Sequence, residues 1–267
     1  MTASMHLSTV RRTISTSKAL FVQAIRRDLQ FRSQAWIGIV VGLGELAAGL
    51  VPVLVITSFY PPSSPVAGLV VPTAGFFALA CGLMDTFITP GLRRFDTAVR
   101  KGDLDSSLLR PVPTALYAIF RWMRPAELAK AVAGIALLVA WALTSKVAPT
   151  GSELLLGGLI ALAGAMAYSA AWAAMAFLAL WLKSIEPVND LAAVWRNAGQ
   201  YPLGVFTQGV TVVLQTAIPV LGLAALPATK VLNLQTTGAT LAISVTWILA
   251  ATAVWRAGIR HYEGAST

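Results

Sequence analysis

Charge is what this chain has least of. Only 12% of its 267 residues are Asp, Glu, Lys or Arg, against about 25% in a soluble domain. With 57% apolar residues and a mean hydropathy of +0.72, too few polar side chains remain to cover a water-facing surface. Much of the exterior must therefore face lipid. Cysteine is nearly absent: Cys81 stands alone inside an apolar run, which excludes a disulfide within the chain. Histidine is scarce too. His6 and His261 lie near the two ends, so no histidine is available as an intramembrane base, and no Cys/His metal cluster can be assembled. Neither G-x-x-x-x-G-K-[ST] nor H-E-x-x-H occurs, which excludes a P-loop and a zincin site. The acidic residues are scattered, without the spacing of a catalytic carboxylate pair. The first thirty residues lack the apolar core of a signal peptide. The first apolar run is therefore expected to stay in the mature protein.

What the chain does have is six apolar stretches, near 36–59, 66–88, 126–145, 153–181, 201–219 and 238–254. A helix needs about 20 residues to cross the hydrocarbon core. Drawn as spans, these stretches put eighteen of the twenty Lys and Arg residues on one side. Only Lys146 and Lys230 fall on the other. Basic residues resist translocation, so the rich side is expected to be cytoplasmic, with both termini there. The same rule accounts for the net charge of +9 without invoking nucleic acid. Residues 18–34 mix Leu20, Phe21, Ile25 and Leu29 with Arg26, Arg27 and Arg32, the pattern of an amphipathic helix lying along the interface. The segment up to about residue 17 reads as a disordered tail. The fourth stretch is longer than a bilayer requires, so it should tilt or project. Pro202, Gly204, Gly209 and Pro219 interrupt the fifth. Val220–Leu226 is too short to cross and too apolar for an external loop, which suits a re-entrant or interfacial helix.

The longest loop on the basic side, 91–125, has the grammar of two short helices. Gly102 suits the left-handed conformation that ends the first. Asp103 is placed to cap the second, with Asp105 in its first turn favoured by the helix dipole. Leu104 and Leu108 share a face at i, i+4, Leu109 lies beside them, and Pro111 and Pro113 stop the helix. Leucines so placed either pack on this protein's own helix ends or dock on a partner.

Arg100-Lys101-Gly102-Asp103-Leu104-Asp105 followed by Leu108-Leu109-Arg110-Pro111 resembles the R-x-G-x-L-D-x-x-L-L-R-P signature of type-2 ABC transporter permeases. The likeness is to the exporter branch with paired six-span permeases and a separate ATPase. Arg196–Pro202 with Phe206 and Ile218-Pro219 is similar to that branch's R-x(4)-Y-P…I-P stretch. Trp255–Glu263 is similar to its basic Tyr-Glu terminus, although Gly264 stands where members often have Ser. The resemblance implies that the 91–125 loop carries a coupling helix, formed by Arg100, Lys101, Gly102, Asp103, Leu104, Asp105, Leu108, Leu109, Arg110 and Pro111 and seated on a nucleotide-binding subunit. It implies an ATPase dimer as partner, ATP and Mg bound there and no cofactor in this chain. It also implies a second permease, a related partner rather than a copy, and a pathway built mainly from the second and fifth spans.

Inside the spans, Glu45 is flanked by Gly42, Gly44, Ala47, Ala48 and Gly49. A carboxylate at that depth is costly. It is either a polar point in the substrate path or a hydrogen-bonded glutamate joining two close-packed helices. Asp85 is expected to pair with Arg93 or Arg94, and Glu127 with Lys130 at i, i+3. Phe76 and Phe77 of the second span, with Tyr201, Phe206, Gln208, Thr211 and Gln215 of the fifth, are the other candidates for the pathway. Ordinary packing is their alternative.

The expectation is thus an all-α integral membrane protein: an interfacial helix and tail over 1–34, a six-span permease domain over 35–257 with its coupling loop, and a tail over 258–267. Its expected work is ATP-driven export of a drug-like, antibiotic or lipid-like substrate across a bacterial cytoplasmic membrane. An ion-coupled secondary transporter would need titratable groups along the path, and a scaffold or intramembrane enzyme would need no ATPase; both stay open.

Overall fold

The computed structural model describes residues 2–61, 64–110, 112–145, 149–182, 186–229 and 234–262, with side chains from residue 15 onward. Pro111, Lys146, Lys183, Lys230 and Glu263, and the side chains of His6, Arg11 and Arg12, lie outside them. Among the described residues there are helices and turns and no strands.

The chain runs α1 (Thr2–Gln30), α2 (Arg32–Ser58), α3 (Pro65–Phe87), α4 (Thr89–Arg100), α5 (Asp103–Leu108), α6 (Thr114–Phe120), α7 (Leu128–Thr144), α8 (Gly151–Ala176), α9 (Glu186–Ala198), α10 (Gln208–Thr216) and α11 (Leu234–His261). Where α1 was expected to begin as a disordered tail, helix extends from Thr2. Among the described residues, five helical segments are long and apolar enough to cross a bilayer: Arg32–Ser58, Pro65–Arg100, Pro125–Thr144, Gly151–Leu180 and Gln235–His261.

Local chemistry sets the starts of the spans. Ser64 caps α3 by accepting the Ala67 amide at 3.3 Å, with Pro65 in the first turn, where a missing N–H costs nothing. Thr150 and Glu153 close a capping box at α8. The Thr150 hydroxyl accepts the Glu153 amide, and the Glu153 carboxylate accepts the Thr150 amide at 2.7 Å, which satisfies two donors otherwise left free.

Small residues let the helices close on one another, as packing between spans requires. Gly82 of α3 lies against the Ala131 backbone of α7, and Gly134 of α7 lies against Gly75 and Leu79. On the other side, α8 runs beside α11, where the Ser244 hydroxyl donates to the Ala163 carbonyl at 2.7 Å.

The fifth expected span is not a continuous helix. Pro202 is extended, a 3₁₀ turn covers Leu203–Val205, and α10 has only 9 residues. Such a helix is about 13 Å long, less than half the hydrocarbon core. The chain then turns back inside the bundle. Gly199 sits under the Val220 carbonyl, and Gly222 lies flat on Gly164 halfway along α8. Buried Val220 leads into a buried 3₁₀ turn, Leu221–Leu223, which continues into buried Ala224, Ala225 and Leu226. Irregular backbone survives at this depth because protein surrounds it.

Candidate functional site

The loop 89–124 is a folded unit. α4 turns its apolar side inward, with Leu92 and Phe95 fully buried. Phe95 meets Phe177 at the end of α8 edge-on at 5.1 Å and Trp255 of α11 at 6.1 Å. Gly91 sits directly on the Ile119 backbone of α6. Gly102 takes the expected left-handed conformation, φ 72°, and the chain reverses there into α5.

That reversal corrects the capping expectation. Because α5 begins from Gly102, Asp103 is its first helical residue and makes no side-chain cap. Its carboxylate instead lies 3.4 Å from Arg121, still at the positive end of the helix. The leucines separate as well. Leu104 is 1% exposed and belongs to the cluster that holds Leu92, Phe95 and Ile119, so it packs at home. Leu108 is 41% exposed and Leu109 88%. The flanking charges are held locally: Arg100 stands 2.9 Å from Asp96, and Arg110 lies 4.7 Å over the Tyr117 ring. Lys101 points to solvent. Asp105 neighbours Tyr262, just past α11. Burial, with that carboxylate beside it, pushes the Tyr262 hydroxyl up to about 12. The first and third of the segments that carried the family resemblance meet where Asp105 neighbours Tyr262; just before the first, Phe95 packs on Trp255 and the Arg93 carbonyl accepts the Asn189 amide of α9.

A second cluster lies where α2, α3, α7 and α9 meet. Asp85 does not reach Arg93 or Arg94. Its two oxygens take Lys130 at 2.8 Å and Arg196 at 2.7 Å. Arg93 and Arg94 leave the outer side of α4, exposed, while the buried ammonium of Lys130 and the guanidinium of Arg196 arrive from other helices. Lys130 also meets Glu127 at 2.9 Å, the expected local pair, and Glu45 at 3.7 Å. Glu45 is therefore not isolated in lipid; it faces a cation across the α2–α7 seam. Nearby, the Tyr168 hydroxyl donates to the Ala192 carbonyl, and the Trp172 indole donates to Asn189 at 3.1 Å. These bonds fix α9 to α8 and so aim Arg196.

Arg196 was noted in the sequence only as the start of a family-like stretch. The signal for its partner was Asp85 itself, an acid in an apolar run whose nearby cations leave on the wrong side of the helix.

The other pathway candidates divide. Phe76 and Phe77 are buried, Phe76 against Gly157 of α8, so within one chain they fill a helix seam. Tyr201 and Phe206 meet edge-on at 6.4 Å and are partly exposed. Gln208 is exposed; Thr211 and Gln215 are half-buried on α10, Thr211 bonding back to the Thr207 carbonyl at 3.0 Å.

An all-α bundle of long apolar helices, with a rigid amphipathic loop at its basic end, defines a multi-pass membrane protein. Comparison with known families gives the same class: residues 68–266 match the family described as ABC-2 family transporter protein. The chain belongs to that family, and it is a membrane subunit of an ABC transporter. No curated protein and no solved structure matches it.

Proposed function

We propose that this chain is one of two permeases in an ATP-driven exporter, coupled through α5 to a separate dimer of nucleotide-binding subunits. The observation that carries this is the split within one short helix. Leu104 is locked into the protein's own core, while Leu108 and Leu109 project from the same turn and a half. A rigid rear and an apolar front suit a lever that receives force: pushing Leu108 and Leu109 moves α4, and with it the ends of α8 and α11 that Phe95 touches. ATP and Mg bind on the partner, whose closure is the power stroke. The second permease, a related chain, covers the exposed side of α2 and α10 and completes a path faced by Tyr201, Phe206, Gln208, Thr211 and Gln215. The setting is a bacterial cytoplasmic membrane with both termini inside, and the cargo is drug-like, antibiotic or lipid-like.

The test is reconstitution with the ABC ATPase that co-purifies with this chain. Leu109→Asp should weaken co-elution with the ATPase by about tenfold or more, the scale of an interface anchor, and abolish transport-linked ATP hydrolysis. The thermal midpoint of the isolated chain should stay put. Unaltered association and turnover in Leu109→Asp would remove α5 from the coupling path. Solute movement by the purified chain alone would favour an ion-coupled mechanism instead.

A further inference from the structure

The basic end of the bundle holds a cavity that the transport reading does not use. It has a volume of about 570 Å³ and lies between the end of α1, the first turns of α2 and the Trp122–Glu127 turn. A smaller one, about 220 Å³, adjoins it beside Arg93 and Asp85. Six basic and four acidic side chains line the two.

The carboxylates are already engaged. Asp85 and Glu127 hold Lys130 at 2.8 and 2.9 Å, and Glu45 leans on it at 3.7 Å. Asp28 accepts the Ala126 amide at 3.1 Å and lies 3.4 Å from Arg27. Two of the arginines are not. Arg94 and Arg124 have no carboxylate within ion-pair distance among the described residues. Arg94 shares the cavity wall with Arg27 and Arg124, and Arg121 lies on the same Trp122 ring at 4.8 Å. The Trp122 ring holds the Arg94 guanidinium in place at 4.1 Å. Like charges gathered around one cavity repel unless an anion sits among them. The remaining wall is apolar: Ile37 and Val41 of α2 continue from the arginines along the span and are open to the outside. One end thus suits a phosphate and the other a hydrocarbon chain.

We propose that this cavity binds one anionic phospholipid of the leaflet at the basic end. Arg94 and Arg124 hold its phosphate, and an acyl chain lies along Ile37 and Val41. Arginine's planar fork meets two phosphate oxygens at once. Basic pockets between spans take lipid headgroups on the same grounds. The bound lipid adds to the protein contacts that join α1 and α2 to the α6–α7 turn, among them Arg27 donating to the Met123 carbonyl at 2.6 Å and Asp28 accepting the Ala126 amide.

The full chain, purified in mild detergent and offered equal phosphatidylglycerol and phosphatidylcholine, should retain phosphatidylglycerol when weighed intact by native mass spectrometry. Arg94→Gln and Arg124→Gln should each lower that affinity about fivefold, the lysine replacements should preserve most of it, and Arg110→Gln, on the other side of the loop, should not change it. Val41→Trp leaves every charge in place and fills the acyl groove; it too should lower occupancy, which keeps the test sound if a glutamine variant fails to fold. Excess inorganic phosphate should leave the lipid bound, because the chain contributes. Equal retention of both lipids, or undiminished binding by the glutamine variants, would overturn the proposal. Displacement by inorganic phosphate alone would make this a free-anion site and overturn the lipid assignment.

Discussion

Helices α8 and α2 are both strongly apolar, but α8 is built on nine Ala and α2 on three, and their surroundings are opposite. In the most apolar window of each span, 56% of α8 is buried by protein against 11% of α2. On α8, Gly164 carries another backbone and Ser244 bonds across to it. On α2, Gly44 has open space around it, and Val40, Val51, Leu54 and Val55 face outward. In lipid a leucine gains nothing by leaving other leucines. Close backbone approach and polar bonds, rather than hydropathy, therefore decide which spans form the rigid body. The packed half, α3, α7, α8 and α11, carries the 89–124 loop; α2 and α10 are the sides left more open.

Asp85 ties α3 to α7 and α9. Asp85→Ala leaves the cations of Lys130 and Arg196 buried without their shared carboxylate, and breaking a buried pair costs about 3–5 kcal/mol. This should be the largest single loss of stability, read as the thermal midpoint of the detergent-solubilised chain. A negligible shift would mean that water reaches the cluster and that α9 is held elsewhere.

The loop sharpens the contrast on a smaller scale. Leu104→Ala empties a core site and should cost about 2–5 kcal/mol, whereas Leu109→Ala, 88% exposed, should stay within about 0.5 kcal/mol. Equal losses would mean that the rear and front of α5 are not distinct.

Next in size is the α8 seam. A Cβ on Gly164 lands on the Gly222 backbone, so Gly164→Ala should cost about 1–3 kcal/mol, as overpacking does. Gly158→Ala, one face away with nothing near it, should be neutral. If both are tolerated, Val220–Leu226 is not held against α8.

Much of this was legible from composition and punctuation. The basic residues marked one end of the spans. Gly102 marked the reversal before α5, since no other residue type enters φ 72° so readily. Polar and proline breaks bounded four of the spans. Other features depended on tertiary partners. An i, i+4 leucine pair says that one face is apolar, not which leucine points home; that is set by how α4 seats on Phe177 and Trp255. Pro202 and Pro219 warned that the fifth stretch was broken, but its return into the bundle needed Gly222 to find Gly164. Arg196 reaches Asp85 across 111 residues of sequence, a pairing that no local pattern encodes.

Glu45 tests the comparison at its finest. It is the one carboxylate of the cluster that belongs to the loosely packed half, and its side chain is 66% exposed. At 3.7 Å it is also the most distant of the three acids on Lys130, whose nearer partners lie at 2.8 and 2.9 Å. Removing its charge therefore leaves the ammonium satisfied. Exposed pairs contribute about 0–1 kcal/mol, so Glu45→Gln should move the thermal midpoint by no more than about 2 °C. Its effect on transport should be selective: export of cationic compounds falls while that of neutral ones is kept, because the lost group is an accessible negative charge and not a structural tie. A large fall in stability would place Glu45 inside the rigid body. Equal transport of both classes would remove it from the path.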